Sequence, residues 1–96
     1  DDFVARVLAM RTTQHVRFLA RYGHELTILA RVAFLDDDYE SARACNETLH
    51  RILGHIGAVL TNTDATRDER FARMLVESAD QRGRADLLVR SLGIAT

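Results

Sequence analysis

The residues best placed by type and spacing to do chemistry are Glu47 and His50, three apart in ETLH. On a helix they would share a face, and a Glu-x-x-His step supplies two ligands of a two-metal carboxylate site inside a helical bundle. Chain levels add to the idea. If a hairpin turns near 36–37, Glu25 stands at the height of Glu47 and His50, and if a second turns near 62, Glu77 joins them. Three carboxylates and an imidazole in one layer would suit iron or manganese. Phase argues the other way. Glu47 is two residues from both Cys45 and Leu49, which lie on an apolar seam, so it points about 160° away from that seam. The second Glu-x-x-His of that architecture is missing. A solvated ion-pair face is the simpler reading, and the sequence assigns no metal site, no cofactor and no catalytic residue.

His15 falls on an apolar stripe, and a hairpin turning near 36–37 brings it near His55 or Ala58. Two imidazoles are too few for a structural zinc site. A buried histidine with a hydrogen-bonded partner is expected instead, and its protonation should loosen the packing around it. Arg6, Arg17 and Arg21 lie within about 60° of one another if the first helix is continuous. Such a stripe could meet a phosphate backbone or an acidic partner. No helix-turn-helix pattern or interleaved aromatics accompany it, and a net charge of −1 argues against a whole-chain polyanion binder. Asp36, Asp37 and Asp38 lack the alternating ligands, glycine and terminal glutamate of a calcium loop. They read as a helix start, with Asp37 and Glu40 at capping-box spacing. Ser41, Ser78 and Ser91 sit in helical runs rather than on a strand-to-helix turn, so nucleophilic catalysis has no support and an enzyme is not expected.

The element that would position these groups is the stretch from Tyr39 to Leu60. Ala42, Cys45, Leu49, Ile52, Ile56 and Val59 recur at steps of three and four, the seam of a helix lying along other helices. Before it, Val4, Leu8, Arg11, His15, Phe18 and Tyr22 hold one stripe that continues through Leu26, Leu29 and Ala33. One long helix over 2–35 follows, with a kink at Gly23 as the alternative. After it, Thr66 and Glu69 form a second capping-box pair, and Phe71, Met74, Leu75 and Ala79 carry a helix over 65–82. A short fourth helix at 85–92 is possible, with Gly93 as its C-cap. The expected fold is all-α, an antiparallel bundle of three long helices (2–35, 38–60, 65–82) in a single domain spanning 1–96.

Composition agrees. The 96 residues contain no proline, which suits uninterrupted helices. A single cysteine excludes an internal disulfide, so the expected compartment is the cytoplasm. Cys45 lies on the seam, where an inert buried thiol is expected. No apolar run reaches the length of a membrane helix, and no signal peptide is visible.

The stretch 26–35, LTILARVAFL, is apolar on nearly all sides and should be buried on nearly all sides. In a three-helix bundle one side stays open, so either a fourth helix or a second subunit must cover it. Gly54 and Gly57, with Ala58, make a smooth patch where another backbone could approach. The expected function is therefore a homodimeric helical interaction or structural module, its interface including Leu26, Ile28, Leu29, Val32, Phe34, Gly54 and Gly57. The alternatives are a metal-binding protein or enzyme built on Glu25, Glu47, His50 and Glu77, and binding of nucleic acid or an acidic partner through the arginine stripe.

Overall fold

A computed structural model describes residues 2–61, 64–79 and 83–95. These residues are all-helical, with five α-helices and no strand among them: α1 (Asp2–Leu8), α2 (Thr12–Leu35), α3 (Tyr39–Thr61), α4 (Ala65–Ala79) and α5 (Arg84–Ile94). The long first helix expected over 2–35 is divided between Leu8 and Thr12. The reason is local. Gln14 turns its side-chain Oε1 back to accept the Arg11 amide N–H at 3.1 Å, starting a new helix there. The adjacent Thr12 and Thr13, both β-branched, propagate a helix poorly. The break lets α1 fold away from α2 and lie against α4, while Phe3 still meets Phe18 edge-on with ring centroids 6.0 Å apart.

Gly23 lies inside α2, which is continuous from Thr12 to Leu35. The helix runs through it, and a Cβ there would come within 3.1 Å of the Leu49 Cδ1, so the glycine serves the close approach of α2 to α3. The α2–α3 turn closes by two backbone bonds, Asp37 N–H to Phe34 O at 3.1 Å and Asp38 N–H to Ala33 O at 2.8 Å. This is a Schellman arrangement whose left-handed position, φ 61°, is filled by Asp37 rather than glycine. The cap of α3 falls one residue later than the expected Asp37–Glu40 pair. The Ser41 N–H donates to Asp38 Oδ1 at 3.2 Å, and Asp37 Oδ1 accepts from the Tyr39 hydroxyl at 2.9 Å. Likewise Asp64, not Thr66, caps α4, accepting the amide N–H groups of Thr66 and Arg67.

Helix α4 is described from Ala65 to Ala79; the rest of the expected 65–82 span lies outside the described residues. Gly83, in the left-handed region at φ 81°, immediately precedes α5, and Gly93 sits inside α5 rather than capping it. One buried cluster joins all five helices: Val7 of α1, Phe18, Leu19, Tyr22 and Leu26 of α2, Ile52 of α3, Leu75 of α4 and Leu92 of α5. Helix α5 packs on α2 and α4. No helix among the described residues is long and apolar enough to cross a membrane.

Candidate functional site

Three features of the molecule combine exposed apolar surface, clustered charge or buried titratable groups, and α3 takes part in all of them. The first is the α2–α3 corner. Leu26 and Ala30 are buried within the chain, and Leu29 and Ala33 are half-buried. Ile28, Val32, Phe34 and Leu35 stay exposed, at 43%, 57%, 60% and 76% of their full surface. Helix α5 covers part of the apolar stretch and leaves its outer side open. Phe34 and Tyr39 stand edge to face across the turn, ring centroids 5.3 Å apart. Beside them a cleft of about 250 Å³ opens, with Leu29, Val32 and Ala44 in its wall and Asp36, Asp38 and Glu40 among its lining carboxylates. Arg84, buried at the start of α5, also lines it. Burial pushes the Tyr22 hydroxyl up to about 12, with Arg84 pulling the other way and Cys45 adding to the rise. Burial also raises the Cys45 thiol, against the pull of Arg84, so the thiol stays protonated and inert at neutral pH.

The second feature is a groove of about 460 Å³ between α3 and α4. Gly54, Ala58, Phe71 and Met74 give it an apolar floor, and Arg51, Arg67 and Arg70 bring three guanidinium groups to it. Among the described residues, apart from its chain neighbours and its own helix backbone, nothing stands within 4 Å of where a Cβ on Gly54 or Gly57 would be, so both glycines leave open surface.

The third is a buried imidazole pair. Hairpin register places His15 beside His55, as the sequence anticipates, with ring centroids 5.6 Å apart. His55 stacks on Phe71 at 3.8 Å, and its Nε2 lies 3.2 Å from Asp68 Oδ1. That contact becomes an ion pair only when His55 is protonated. The expectation of a buried histidine holds at both sites; a polar partner, Asp68, stands 3.2 Å from His55, and the Nε2 of His15 has no hydrogen-bond partner among the described residues. Both pKa values are lowered, each chiefly by burial. Asp68 opposes the fall at both sites, while His15 and Arg67 add to it at His55.

The other sequence candidates scatter. Glu25 pairs with Arg21 at 3.2 Å, one turn away on α2. Glu47, His50 and Glu77 are exposed. No group of three histidine, cysteine or acidic side chains among the described residues is placed to hold a metal ion. The arginine stripe loses a member, because Arg6 rides on α1, a separate helix from the α2 that carries Arg17 and Arg21. Of the expected interface residues, Ile28, Val32, Phe34, Gly54 and Gly57 are exposed, Leu29 is half-buried, and Leu26 belongs to the core beneath them. Sequence reasoning passed over the buried Arg84 and the paired clefts along α3. No known family model, curated protein or solved structure matches this chain.

Proposed function

We propose that this chain is a small helical interaction module that works as a homodimer, with the outer side of Ile28, Val32, Phe34 and Leu35 turned toward the second copy. The observation that carries the reading is that four large apolar side chains in eight residues stay exposed after the chain's own fifth helix has packed on α2. Contiguous apolar surface of this kind is how a folded chain marks a contact with another protein. Two-fold self-association is the commonest way such a face is covered. The bundle of antiparallel helices acts as the rigid frame that holds the face in place. Its inert buried thiol fits a reducing compartment, the cytoplasm.

Light scattering on the purified chain at micromolar concentration tests the reading. Twice the chain mass of 10.8 kDa is the expected result, and the monomer mass would contradict it. Replacing Val32 and Phe34 together by serine should return the monomer mass with the helix content unchanged, because neither side chain belongs to the core.

A further inference from the structure

The acidic cleft and the arginine groove lie along one side of the same helix. Glu40, Ser41, Ala44 and Cys45 line the first and Arg51, Gly54, His55 and Ala58 the second, and of these Glu40, Arg51, Gly54 and Ala58 fall within about 60° of arc on α3. The acidic cleft occupies the N-terminal half of α3 and the arginine groove its C-terminal half. Between and around them, charge alternates along the exposed stripe: Glu40, Arg43, Glu47, Arg51, within about 80° of one another. All four are exposed, and none pairs with another described residue.

That order has a particular symmetry. Turned end for end, the stripe reads as its own electrostatic complement. An antiparallel pair of α3 helices, with the two-fold axis level with Cys45 and Asn46, sets Glu40 opposite the partner's Arg51. The same register sets Arg43 beside the partner's Glu47, and the symmetry repeats both contacts. The span from Glu40 to Arg51 is about 16 Å at 1.5 Å per residue, so two charge pairs at each end fit within the length of one helix. Gly54 then falls level with the partner's Asp37 corner, and its missing Cβ leaves room for that turn. The partner's Arg51 and Arg70 come to the acidic cleft beside Val32, and the acids of that cleft come to the Arg-lined groove.

Resting on the homodimer reading above, we infer that the second copy docks antiparallel along α3, each copy's acidic cleft against the other's arginine groove. The occupant of both clefts is the same chain. Charge pattern fixes the register and direction, since a parallel pairing would set Glu40 against Glu40 and Arg51 against Arg51. Apolar surface around Val32 and on the floor of the groove supplies the burial that charge pairs alone do not.

Sedimentation equilibrium on the full chain, with Glu40→Arg, Arg51→Glu and the double variant, tests the pairing. Circular dichroism checks that each variant keeps its helices, as exposed positions should allow. Either single substitution places like charges together twice per dimer and should weaken dimerisation at least about 10-fold. The double variant reverses both Glu40–Arg51 pairs, leaves the Arg43–Glu47 pairs as they were, and should return to within about 3-fold of the original. A dimer whose Kd the single substitutions leave unchanged overturns the α3 pairing and spares self-association. A double variant as weak as the single ones also overturns the pairing. An unmodified chain that stays monomeric at hundreds of micromolar overturns self-association itself, and the pairing with it.

Discussion

The two halves of α2 meet different fates, and the more apolar half is the less buried. From His15 to Leu26 the helix is gripped on several sides: Phe18, Leu19, Tyr22 and Leu26 are fully buried, and Gly23 brings the backbone against Leu49. From Ile28 to Leu35 it is gripped on one side only, and its largest side chains face outward. Apolar content alone therefore does not separate core from contact surface. The side on which each residue falls does: α3 and α5 pack on α2, Phe3 of α1 adds to the grip at Phe18, and the outward positions from Ile28 to Leu35 stay exposed.

The sharpest way to test this difference is to shorten one side chain in each half. Leu26→Ala should destabilise the fold by about 2–5 kcal/mol, the cost of a buried leucine and the cavity it leaves. Val32→Ser should change the unfolding free energy of the monomer by less than about 0.5 kcal/mol. Denaturant titrations of the two variants give both numbers, and equal losses would erase the distinction. Next in size is Gly23→Val. Branched methyl groups would press on Leu49 Cδ1, already 3.1 Å from an ideal Cβ, and overpacking of this kind costs about 1–3 kcal/mol. A variant as stable as the parent would mean that α2 and α3 stand farther apart.

Acid should weaken the gripped half first. His15 and His55 favour the neutral form when folded, while the unfolded chain takes up protons near pH 6.5. The unfolded state thus binds more protons between the lowered folded values and 6.5. Stability is full above that window and falls as pH drops into it. The thermal midpoint at pH 5.5 should lie below that at pH 7.5. Asp68→Asn, which removes the charge opposing the shift at both imidazoles, should steepen the fall, and His15→Gln should flatten it. The smallest effect belongs to the end of the exposed half. Asp37→Gly relieves a left-handed residue and should stabilise by less than about 1 kcal/mol in a melt at neutral pH.

Much of the frame was legible in the residues. The seam of α3 from Ala42 to Val59 faces the core, with Leu49 and Ile56 half-covered at its edges. The hairpin register that follows from a turn near 36–37 brings His15 to His55. What stayed hidden has identifiable causes. The apolar phase of α1 runs on into α2 through Leu8 and Arg11, so spacing alone could not reveal the break. An arginine in an apolar stripe and a Thr-Thr-Gln start were its only marks. Caps slipped by a residue because runs of Asp and Thr offer several side chains able to accept the same amide. The Glu47–His50 pair satisfied a spacing rule but not a facing rule, and the structure leaves both exposed. The opposed clefts needed three dimensions, since α4 and α5 each contribute a wall that no local pattern announces.

In the proposed dimer a second copy covers the outer side of α2. The Val32 methyl groups report on it directly through their NMR broadening by a soluble paramagnetic probe. Above the dimerisation constant they should be shielded, and dilution or Glu40→Arg should expose them. Methyl signals broadened equally at every concentration and in every variant would show that this face meets only water.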